Sequence, residues 1–122
     1  MTTLPSLHGK WQMVRAELAG QFADALIVDH TTLEFTAQEY LVRYAETVAD
    51  RGTYSVESSG ERFTLTLQGW EGPNAGRVIP GIFQCVGDRL RICYGLDNVL
   101  PTVFATTAGQ ERYLVTYRRQ PV

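Results

Sequence analysis

The chain carries six tyrosines, Tyr40, Tyr44, Tyr54, Tyr94, Tyr113 and Tyr117, and all six fall on the apolar parity of the segments that hold them. A phenol offers a ring for packing and a hydroxyl that both donates and accepts. A dry core is filled more cheaply by Phe or Leu, because each buried phenol needs a partner for its hydroxyl. Inward tyrosines in this number point to a wet or ligand-filled cavity. The competing reading, residue by residue, is a ring in the core with its hydroxyl wetted at a rim.

A second group is charged. If Trp11 faces inward, the same parity takes Met13, Arg15 and Glu17 inside with it. Two opposite charges two residues apart on an inward face need each other or a polar ligand to offset their desolvation. A bulge after Met13 would turn both outward, and an ion pair at the rim is a third arrangement. The residues expected to meet a ligand are therefore Arg15, Glu17, Tyr40, Tyr44, Tyr54, Phe83, Tyr94, Tyr113 and Tyr117. Glu17 and Tyr44 are the candidates for an acid or base. No motif names a nucleophile or a reaction.

Other chemistries find little to work with. Cys85 and Cys93 share one expected hairpin, turning at Gly87-Asp88, in which Cys85 stands opposite Leu90 and Cys93 opposite Ile82. Their thiols then point to opposite faces, so no disulfide is expected, and without a Cys or His cluster neither a metal nor another cofactor is. His8 and His30 each stand alone at segment ends and read as exposed or capping residues. Eleven Lys and Arg against thirteen Asp and Glu give a net charge of -2 with no basic block, which argues against a nucleic-acid partner. Met1 to Leu7 lacks a charged and then apolar leader, and no run of eighteen apolar residues occurs. A cytoplasmic, membrane-free protein, monomer or homodimer, is the expectation.

The elements that must position these residues are short strands. At 122 residues, 44% hydrophobic and 20% charged, the chain suits one domain spanning 1–122. Period-two alternation marks strands over Gly9 to Leu18, Thr31 to Thr36, Glu39 to Ala45, Gly52 to Glu57, Arg62 to Gln68, Val78 to Val86, Arg89 to Tyr94 and Glu111 to Arg119. Gln21 to His30 suits one or two helical turns flanked by Asp24 and Asp29 as turn and cap residues. Gly69 to Gly76 reads as a loop, and Gly95 to Gly109 as a looser stretch with one short strand near Pro101 to Phe104. Eight or nine such strands with almost no helix predict an all-β antiparallel up-and-down barrel, since closure leaves no exposed edge.

Gly9-Lys10-Trp11 near the start of the first strand resembles the Gly-x-Trp signature of lipocalins. The order Gly52-Thr53-Tyr54, Glu71-Gly72-Pro73, Gly81-Ile82-Phe83, Gly87 to Tyr94 and Pro101-Thr102-Val103-Phe104 extends the likeness over nearly the whole chain. It resembles a bacterial lipocalin-like domain family, of calycin type, best known from planctomycetes and largely without assigned function. The resemblance implies that Trp11 plugs the closed end and that an arginine of the last strand, Arg119 or its alternative Arg118, covers the indole.

Three functions follow as expectations. The first is a small-molecule-binding barrel for a compact hydrophobic or amphipathic ligand, with a cavity of roughly 300 Å³ or more. The second is a cofactor-independent cyclase or isomerase of natural-product biosynthesis, acting by enforced conformation and hydrogen bonding. The third is an inhibitor or immunity module docking through an apolar patch around Trp70 and Leu96 to Phe104. Trp70 itself reads as a lid, a partner contact or a staple on the outer wall.

Overall fold

Alternation of period two is realised as nine strands and one short helix in the computed structural model, which describes residues 4–60 and 62–121. In chain order these are β1 (Gly9–Leu18), β2 (Gln21–Phe22), α1 (Ala25–His30), β3 (Thr31–Phe35), β4 (Glu39–Tyr44), β5 (Thr47–Ser59), β6 (Arg62–Glu71), β7 (Val78–Val86), β8 (Arg89–Gly95) and β9 (Arg112–Arg119). Each strand from β3 to β9 pairs antiparallel with the next. β1 pairs with β3 through Gly9–Gln12 and with β9 through Trp11–Leu18, which closes an eight-stranded up-and-down barrel. The two-residue β2 is an appendage on the end of β1.

One face of each of the eight barrel strands fills the inside. Trp11, Leu33, Phe35, Leu65, Phe83, Leu90, Ile92 and Val115 are buried there. A bulge between Met13 and Arg15 breaks the parity of β1, so Ala16 takes the inward position. Arg15 and Glu17 are turned to the outer wall. The guanidinium of Arg15 lies 4.5 Å from the centroid of Phe22, and Glu17 accepts a hydrogen bond from the Thr106 hydroxyl. Of the arrangements left open by the sequence, the bulge after Met13 is the one realised, so Arg15 and Glu17 do not line the interior as ligand contacts.

The two ends differ in their connections. At one end the chain turns tightly through Thr36–Gln38 and Gly87–Asp88, where Gly87 has a φ of 59°. Longer segments gather at the other end: α1, the β6–β7 connection and the β8–β9 connection. α1 starts at Asp24, whose side chain accepts from the Leu26 amide at 2.8 Å, and Asp29 lies within the helix instead of capping it. Gln12 Nε2 donates to the Val28 and Thr31 carbonyls at 3.0 and 3.2 Å, satisfying acceptors that the helix end leaves open. His30 completes the end, its ring nitrogen 2.8 Å from the Leu26 carbonyl.

Two other expectations need amending. The segment Pro101 to Phe104 forms no strand; Pro101 is buried, and Arg91 covers the Phe104 ring from the outer wall at 4.0 Å. β5 starts at Thr47 rather than Gly52, which carries it to the open end. The β7–β8 register matches the expected hairpin, with Cys85 opposite Leu90 and Cys93 opposite Ile82, and both thiols are free. Among the described residues no helix is long and apolar enough to cross a membrane.

Candidate functional site

The closed end is a plug. The Trp11 indole donates to the Leu7 carbonyl at 2.9 Å, and the Arg119 guanidinium sits 4.2 Å from the ring centroid. Arg119 also donates to the His8 and Ser6 carbonyls at 2.6 and 3.3 Å, tying the segment before β1 across the barrel floor. Arg118 is exposed and takes no part.

Above that floor a cavity of about 440 Å³ opens toward α1 and the two longer connections. Met13, Leu33, Val42, Leu67 and Ile79 supply its apolar wall, and Tyr40, Tyr94, Tyr113 and Tyr117 its phenols. Tyr44 stands at the mouth, 43% exposed, with Ile27 of α1 and Leu96. Five of the six tyrosines thus share one space. Tyr54 does not, because its strand has by then run to the closed end; its hydroxyl donates to the Thr36 carbonyl at 2.7 Å and its ring packs 4.6 Å from Phe35. Phe83 is likewise part of the plug side, stacked on Phe63 at 5.6 Å.

The polar centre of the cavity is Asp50, only 8% exposed. Sequence reading missed it. Asp50 shares the parity of Tyr54, four residues on, but the strand was begun at Gly52, two residues too late to include the carboxylate. A bulge at Ala49 separates Asp50, opposite Val42, from the Thr47–Val48 start of β5. The Tyr40 hydroxyl donates to Asp50 Oδ1 at 3.3 Å and Asn74 Nδ2 donates to Oδ2 at 2.7 Å. Arg77 donates to Asn74 Oδ1 at 3.2 Å, which fixes the amide with its NH2 toward Asp50.

Glycine makes this close assembly feasible at two points. A Cβ on Gly52 would run into the Gln68 carbonyl and the Tyr40 ring. At Gly72, with φ of 83°, a Cβ would strike the Ala49 carbonyl, so a larger residue would lift the β6–β7 connection and Asn74 away from Asp50.

Burial raises the Tyr40 phenol well above its ordinary pKa, and the adjacent Asp50 carboxylate raises it further. Tyr94 and Tyr117 are raised in the same way, chiefly by burial and then by their neighbours, and burial also raises Tyr113. All four are neutral donors at ordinary pH. Among the described residues the hydroxyls of Tyr94, Tyr113 and Tyr117 have no hydrogen-bond partner, yet no buried side-chain polar atom is sealed off without one. These three oxygens therefore open onto the cavity itself. Tyr94 and Tyr113 lie side by side, with ring centroids 6.2 Å apart.

Trp70 is 51% exposed on the outside of β6, with the Arg51 guanidinium 5.8 Å from its ring. It is a wall residue, not a lid. Val99, Leu100 and Val103 are exposed on the β8–β9 connection. No group of three or more metal-ligating side chains occurs among the described residues. No family model, no curated protein and no solved structure matches the chain.

Proposed function

We propose that the barrel binds one compact amphipathic or hydrophobic small molecule in its open-end cavity. The observation that carries this reading is the set of three phenol hydroxyls, on Tyr94, Tyr113 and Tyr117, left without a partner among the described residues in a space of about 440 Å³. A cavity of that size suits a small ligand, and an apolar wall with a few convergent polar groups is the usual composition of such sites. The exposed Ile27 of α1 adds an apolar contact at the entrance. The likeness of the sequence to bacterial lipocalin-like domains supports the same reading.

Native mass spectrometry of freshly purified protein tests it, together with thermal shifts against amphipathic molecules of graded size. A retained mass, or stabilisation that saturates with concentration, is the expected result. Val42→Trp, which fills the cavity, should abolish it. No binding by any compound, or binding unchanged in the filled variant, overturns the reading.

A second reading, a cofactor-free cyclase or isomerase, is favoured by the Tyr40–Asp50 pair, which puts a carboxylate and a phenol against whatever the cavity holds. Glu17 has no part in it, being on the outer wall. Conversion of polyene substrates that falls in both Asp50→Asn and Tyr40→Phe supports this reading; equal rates in parent and variants end it.

A further inference from the structure

Asp50 is the sole charged side chain among the described residues lining the cavity. No Lys, Arg or His shares that lining. Arg77, which stands nearby on the β6–β7 connection, donates to Asn74 Oδ1 and the Leu96 carbonyl and forms no ion pair with the carboxylate. Asp50 therefore faces a mostly apolar space with two neutral donors, Tyr40 and Asn74, and no counter-ion.

A carboxylate offers about four acceptor positions, and two are taken here, one on each oxygen. Holding Asn74 and its connection in place does not need a charge, since an amide or hydroxyl oxygen would accept the same hydrogen bond. What a carboxylate adds is attraction for a cation, and it adds it in a space of low polarity where that attraction is weakly screened. Phenol rings act in the same direction, because the face of an aromatic ring attracts ammonium groups. Tyr40 touches Asp50, and the stacked Tyr94 and Tyr113 share its cavity.

We infer that the ligand of this cavity is an organic monocation, a protonated amine or quaternary ammonium on a compact apolar body, with Asp50 as its counter-ion and the tyrosines around its head. This rests on the cavity being a ligand site and adds the charge of the ligand's polar end.

The test compares shapes that differ only in that end. Isothermal titration of the full chain with 1-adamantylammonium, 1-adamantanol and adamantane-1-carboxylate, repeated with the smaller benzylammonium, benzyl alcohol and benzoate, gives the ranking directly. The ammonium should bind at least about tenfold tighter than the alcohol, equal to about 1.4 kcal/mol, and the carboxylate should bind most weakly. Asp50→Asn should abolish the preference for the ammonium, bringing it down to the level of the alcohol in the same variant. Should that variant not fold, the ranking in the parent protein decides by itself. An alcohol that equals or exceeds the ammonium overturns the inference while leaving the cavity as a binding site. Failure of both series to bind overturns both together.

Discussion

The closed and open ends of the barrel are made by the same eight strands, yet one is a packed plug and the other a cavity. At the closed end the inward polar groups find protein partners: the Trp11 indole meets Leu7, Arg119 meets His8 and Ser6, and the Tyr54 hydroxyl meets Thr36. At the open end the Tyr94, Tyr113 and Tyr117 hydroxyls have no partner among the described residues. Strand pairing does not create this difference, since the ladder runs through both halves. Side-chain chemistry and the length of the connections do, with tight turns below and α1 and two long segments above.

The largest effect expected from that contrast is alkaline unfolding led by the open end. Four of the five phenols with raised pKa, Tyr40, Tyr94, Tyr113 and Tyr117, line the cavity, and Tyr54 is the fifth. A phenol raised in the fold stays protonated where the unfolded chain, with its pKa of about 10, ionises. Stability is therefore complete below about pH 10 and is lost as pH climbs toward the folded values. Phenolate absorbance and far-ultraviolet circular dichroism should change together through that climb. Ionisation of these tyrosines with the β signal intact would make the open end far more yielding than described here.

Next is the plug. Trp11→Ala should cost about 3–5 kcal/mol in urea unfolding, the usual range for removing a buried indole. A cost below about 1 kcal/mol would put the two ends on an equal footing. Gly52→Ala should cost about 1–3 kcal/mol, because the new methyl must displace the Gln68 backbone or the Tyr40 ring. The smallest effects separate the phenols from one another. Tyr40→Phe takes a donor from Asp50 and should cost about 1–3 kcal/mol, whereas Tyr94→Phe and Tyr117→Phe should stay within about 0.5 kcal/mol. Equal costs for all three would mean that the cavity hydroxyls are structurally satisfied after all.

Most of the fold was legible because alternation is a local signal. The strands of the barrel were marked by Val, Ile, Tyr and Phe at every second position, and the β7–β8 hairpin could be set in register from its Gly-Asp turn. Tyr40, Tyr44, Tyr94, Tyr113 and Tyr117 were placed together by the same rule. The rule fails where a strand gains a residue. One bulge after Met13 sends Arg15 and Glu17 outside, and the sequence left that bulge as one alternative among three because only pairing with β9 fixes it. Asp50 was missed for a related reason: Ala49, Asp50 and Arg51 look like a turn, and only pairing with β4 draws them into a strand. Asn74 lies in a Gly- and Pro-rich connection whose path is set by what it packs against, so its role is readable only in three dimensions.

The closure of β1 against β9 bears on when the cavity comes into being. Arg119 meets the His8 carbonyl across 111 positions of chain, and β9 also brings Tyr113 and Tyr117. Contacts of such long range carry the greatest loop-closure cost, so the last strand docks late. Until it does, the space lacks the side that Tyr113 and Tyr117 supply and stays open to water. A chain whose last strand has not yet docked thus has no enclosed cavity, and the space takes its shape only when the ring of hydrogen bonds has shut.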